Sequence, residues 1–137
     1  MVSRDEKRAS ASLRISSRVR SASEITGLMG IPPSRVYEKG DLVSVKSPQP
    51  TYRQDTMWIL ASGLRESDSL DDHVASICRL IKEHRSEFDQ LRSDCDVDVF
   101  CGFFSDSGQA GFGLSSETLE EIGKLQVDLI FDVYPGG

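Results

Sequence analysis

The stretch FCGFFSDSGQAGFGLS, residues 100 to 115, gathers four glycines, a thiol and several hydroxyls between phenylalanine-rich runs. Residues of these types cradle phosphate or seat a nucleophile when their spacing is right. A P-loop needs GxxxxGK followed by Ser or Thr, and a dinucleotide loop needs GxGxxG between a strand and a helix. Gly102, Gly108, Gly111 and Gly113 fit neither pattern, and no lysine follows them. Ser105 and Ser107 lack the flanking glycines of the acyl-transfer elbow GxSxG. The spacing predicts a hairpin instead, with Ser107 and Gly108 in the turn and Gly102, Gly111 and Gly113 admitting close neighbours.

The remaining reactive residues also miss the patterns that chemistry needs. Cys101 follows Val97 and Val99 at period two, so its thiol faces inward, and a nucleophilic thiol needs exposure and a nearby base. Asp94, Asp96 and Asp98 begin like a calcium loop, but the sixth and twelfth positions are Val99 and Ser105 where Gly and Glu are required. They read as a charged strand edge. His84 lies on an apolar helical stripe as a boundary residue, and His73 sits beside Asp71 and Asp72 in a first helical turn, where solvent is expected. The most site-like group left is SRVYEKGD, residues 34 to 41. Arg35, Lys39 and Asp41 there, with Trp58 as a wall, are the candidate ligand-binding residues for an anionic small molecule. No catalytic residue, metal-ligand set or cofactor follows from any motif.

The elements that must position these residues come from periodicity. Residues 1–9 read as a flexible tail and 10–137 as one α+β domain. Ala11, Leu13 and Ile15 alternate with Ser12, Arg14 and Ser16 as a half-buried strand. A short helix follows, capped by Ser21 or Ser23 and stopped at Gly30, with Pro32 and Pro33 preventing its continuation. LVSVK (42–46) and MWILASG (57–63) read as strands. One long helix is predicted over 69–93, with Ser69 as N-cap and Val74, Ile77, Ile81, Phe88 and Leu91 along one stripe. DVDVFCGFF is a strand, AGFGLS its hairpin partner, and SSETLEEIGKL a helix using Leu119, Ile122 and Leu125. VDLIFDVY closes as a strand with Val127, Leu129, Phe131 and Val133 inward. The order β-α-β-β-α-β-β-α-β predicts an α+β two-layer sandwich, its sheet mostly antiparallel and its helices on one face.

Composition narrows the function classes. Three cysteines without zinc-type spacing point to free thiols and a reducing, cytoplasmic compartment of a bacterial cell. No apolar run approaches the roughly 20 residues that span a bilayer. Residues 1–53 hold 10 Lys/Arg against 5 Asp/Glu, and residues 54–137 hold 6 against 17, within a net charge of −6. An acidic bulk repels nucleic acid and anionic membrane and suits a basic protein partner.

Read in order, ASLRI (11–15), SEITGLMGIPPSRVYEKGD (23–41), MWILASG (57–63), CGFFS (101–105), GFGLS (111–115) and VDLIFDVY (127–134) resemble a bacterial family of small single-domain proteins, the domain of unknown function numbered 4279. The resemblance runs from about Ala9 to Tyr134 and implies fold and domain extent. It carries no activity, cofactor or catalytic residue. The expectation is a non-enzymatic binding or regulatory domain acting through protein contacts, in one version an immunity-type protein that neutralises a basic toxin domain. The competing readings are an anionic-ligand binder or enzyme using the 34–41 loop, and a structural dimer.

Overall fold

A computed structural model describes residues 7–43, 48–106 and 111–134. Nine elements follow in order: β1 (Lys7–Ser17), α1 (Ala22–Met29), β2 (Arg35–Tyr37), β3 (Thr56–Ala61), α2 (Leu70–Glu83), α3 (Arg85–Leu91), β4 (Asp96–Ser105), α4 (Ser116–Leu125) and β5 (Asp128–Tyr134). The strands form a mixed five-stranded sheet in the order β2-β3-β1-β4-β5, and the class is α+β.

Three of the four pairings are antiparallel. β2 and β3 pair with Val36 opposite Trp58. Along β1 and β3, Ala11 meets Ser62 while Arg18 meets Asp55, so the chains run oppositely. Along β1 and β4, Ser10 lies beside Gly102 while Ser17 bonds the Asp94 carbonyl, again opposite in sense. β4 and β5 pair in parallel from Asp98 opposite Asp128 to Phe104 opposite Tyr134.

Period-two patterning explains the strands. Ala9, Ala11, Leu13, Ile15 and Ser17 are all buried on β1, and Val99, Cys101, Phe103 and Ser105 on β4. The first strand starts at Lys7, so Lys7, Arg8 and Ala9 belong to it and not to a tail. Helix α1 is closed by a capping box, Ser21 with Glu24, and by Gly30 at φ 75°, a left-handed geometry that costs glycine little. In α2, Ser69 Oγ accepts the Asp72 N–H at 3.0 Å, as its spacing predicts.

The chain clusters into two compact units. One comprises residues 1–13, 61–83 and 98–137, in which α2 and α4 pack together; the other comprises 14–60 and 84–97, in which α1 and α3 pack together. This division corrects the expected long helix. At His84 the backbone leaves helical geometry (φ −121°, ψ 35°) and α3 starts afresh. Val74, Ile77 and Ile81 serve one core, and Phe88 and Leu91 the other.

Other expectations also change. Of the strand expected at 42–46, Leu42 makes an isolated bridge to Tyr52 and Val43 N–H bonds the Thr51 carbonyl, while 44–46 lie outside the described residues. β2 forms inside the segment read as a connection. The expected turn at 106–109 lies largely outside the described residues, and 111–115 form no strand. Ser115 instead caps α4 through the Thr118 N–H, so the chain enters a helix and returns as the parallel β5. On α4, Ile122 and Leu125 are buried as expected, whereas Leu119 is exposed and Thr118 is buried beside them. Among the described residues no helix is long and apolar enough to cross a membrane.

Candidate functional site

The 34–41 segment is built for local structure. The Arg35 guanidinium donates to Tyr37 Oη, Lys39 Nζ donates to the Arg18 carbonyl, and Asp41 Oδ2 accepts the Glu38 N–H inside the turn. Glu38 reaches α1, where Oε1 accepts the Ala22 N–H at 2.9 Å. Trp58 has no exposed surface, and its indole N–H donates to Thr26 Oγ1 at 3.0 Å, so a ligand in water would not touch its ring. The 34–41 segment and Trp58 thus take part in turn closure and packing.

The thiols are unpaired and buried. Burial pushes Cys101 and Cys95 up to about 11, with Asp98 and Asp94 adding to the effect, and it raises Cys78 as well. All three are therefore thiols at neutral pH, and a thiol is a poor nucleophile. Asp94 is held below the usual carboxylate range by its hydrogen bond from Arg20, whose Nε lies 2.8 Å away. Among the described residues no three metal-capable side chains converge.

One arrangement looks catalytic. His73, expected in solvent, is only 2% exposed. Its Nε2 lies 2.9 Å from the Arg65 carbonyl, which can only accept, so Nε2 carries the proton. Nδ1 then accepts the Ser62 hydroxyl at 2.6 Å. A serine donating to an oriented imidazole is the nucleophile–base pair of acyl transfer. Here, however, Ser62 Oγ also accepts the Leu64 N–H, and the Ser62 carbonyl takes the Ser76 hydroxyl. The pair is a clasp that ties the turn after β3 to α2. Sequence reasoning missed it because Ser62 and His73 belong to separate elements, and DDHV reads as a polar first turn.

The surface that differs from an ordinary solvated one is β5. Among the described residues it is the last strand of the sheet, with a hydrogen-bonded strand neighbour only on the β4 side. Ile130 is 40% exposed, Phe131 43%, Val133 50% and Tyr134 52%. Phe131 and Val133 were expected inward; an edge position leaves their flanks open. Phe112 continues the patch. Its ring stacks on Phe131 at 5.6 Å and tilts against Phe103 at 4.9 Å, so an aromatic row runs from the core to the surface. Beside it lies a cleft of about 230 Å³ with Ala9, Leu70 and Phe103 among its lining and Lys7 and Asp68 at its rim. On the opposite face of the strand, the Tyr134 hydroxyl donates to Asp132.

An edge strand with exposed large side chains on both faces and an adjacent cleft can receive an extended segment of another chain. No curated protein and no solved structure matches the sequence. A family model described as a domain of unknown function (DUF4279) matches residues 7–136. That match covers nearly the whole chain, and the chain belongs to the DUF4279 family.

Proposed function

We propose that this chain is a non-enzymatic binding domain acting through protein contacts, and that its contact surface is the β5 edge with Phe112. The observation that carries the reading is the exposure of four large apolar side chains on one seven-residue edge strand. Exposed apolar groups scattered singly need no explanation, whereas four on one edge strand, two to each face, mark an interaction surface. Three free thiols support a reducing, cytoplasmic setting in a bacterial cell.

A photo-reactive residue placed at position 131, and separately at Val36 on β2, tests this in living cells. The reading expects protein adducts from position 131 and few from position 36. Equal adducts at both edges, or none at 131, would overturn it.

The immunity-type version draws on the net charge of −6, which would speed association with a basic partner. Its test is charge reversal at Glu83, Glu87, Glu117 and Glu120. Glu120 is already paired with Lys124 at 3.2 Å, so the remaining three carry the expected loss of association rate at low salt. An unchanged rate would sink this version and leave the edge reading intact.

A further inference from the structure

We propose that the partner of the β5 edge is a second copy of this chain, joined by antiparallel pairing of β5 with itself around Phe131; this rests on β5 being the contact surface. The argument begins with pleat. Two copies related by a two-fold axis through the sheet must place residues of equal parity opposite each other, so one residue always faces itself. The strand DLIFDVY then offers three central registers. Centring on Ile130 sets Asp128 against Asp132 twice. Centring on Asp132 sets it against itself. Like charges directly opposite are destabilising, so both registers are disfavoured.

Centring on Phe131 removes every such clash. Leu129 then faces Val133, Asp128 faces Tyr134, Ile130 faces Asp132, and the two Phe131 rings meet. All seven residues are used. The axis also keeps like faces together, so each Phe131, already stacked on its own Phe112, joins an extended aromatic row.

The area fits a modest interface. Ile130, Phe131, Val133, Tyr134 and Phe112 are 40 to 52% exposed. With aromatic side chains of roughly 150–250 Å², the five offer on the order of 400–500 Å² per copy. Two copies offer about 800–1,000 Å², at the small end of specific interfaces. A backbone ladder adds to it, and a weak, reversible dimer is expected.

The test is sedimentation equilibrium of the full chain from about 1 to 200 µM, with thiol trapping alongside. The proposal expects a reversible monomer–dimer equilibrium, weakened at least tenfold by Val133→Lys. Mild oxidation should link Phe131→Cys to itself, because facing Cβ atoms lie about 4.5–5.5 Å apart, near the span of a disulfide. Val133→Cys should link poorly to itself and well to Leu129→Cys. A monomer at every concentration with no trapping at 131 overturns the proposal, as does equal trapping by Val36→Cys. If the dimer fails while position 131 still yields adducts with a different protein in cells, the contact-surface reading survives and the second copy does not.

Discussion

β2 and β5 both end the sheet order, yet they meet water in opposite ways. β2 is three residues long, follows Pro32 and Pro33, and is left through a turn closed by Asp41. Its one aromatic ring, Tyr37, is covered by the Arg53 guanidinium at 3.9 Å and held at its hydroxyl by Arg35. Short length, proline and charge are the ordinary means of closing an edge. β5 runs seven residues without proline, and its charges, Asp128 and Asp132, sit between exposed apolar side chains. β2 also shows water one apolar side chain, Val36 at 41%, but over three residues and beside a covered ring, whereas β5 exposes four large side chains over seven. That makes β5 a surface with a use, and it makes its substitutions differ from those elsewhere.

The largest effect is expected behind the closed edge. Trp58→Ala should cost about 3–5 kcal/mol in urea denaturation, since it removes a fully buried ring and strands the Thr26 hydroxyl. Phe131→Ala on the open edge should cost roughly 1 kcal/mol or less in monomer stability, because its ring is already part exposed. Equal costs would erase the distinction between the edges.

Gly102→Ala comes next. A Cβ at that position would lie 2.8 Å from Ser10 Oγ on the neighbouring strand; the exposed hydroxyl can turn to another rotamer, so the cost should be about 1 kcal/mol or less. Ser10→Gly in the same chain should recover most of it. A loss that the second substitution leaves untouched would place the fault elsewhere.

Thiol chemistry gives a finer measure. With Cys95 and Cys101 at about 11 and buried, alkylation at pH 8 should track global opening and not a fast local reaction. A thiol that reacts within seconds in the folded chain would contradict the packing of β4.

The smallest effect concerns Asp94 and Arg20. Folding lowers the Asp94 pKa, so its contribution is present above the usual Asp value near 4 and is lost as pH falls through the lower folded value. Asp94→Asn should flatten the acid limb of the stability profile slightly. A change confined to pH above 6 would contradict the assignment.

Part of this was legible in the chain. Ala11, Leu13 and Ile15 alternate because β1 has one covered face, and Ser69 caps α2 because a short hydroxyl meets the third N–H locally. The clasp was not legible, because Ser62 and the Arg65 carbonyl reach His73 only once the turn after β3 folds against α2. The helix break at His84 was hidden by Phe88 and Leu91, which continue the apolar period although they serve the other core.

The sequence by itself determined the α+β class, the strand periods of β1 and β4, the caps of α1 and α2 and the inward thiol of Cys101, since each depends on neighbours within a few positions. Tertiary structure decided that β4 pairs with a parallel β5 instead of a hairpin partner, and that β5 lies at the end of the sheet. Alternation along VDLIFDVY says which side chains share a face, but exposure at an edge depends on whether another strand lies alongside. That is a property of the sheet order, and no local pattern encodes it.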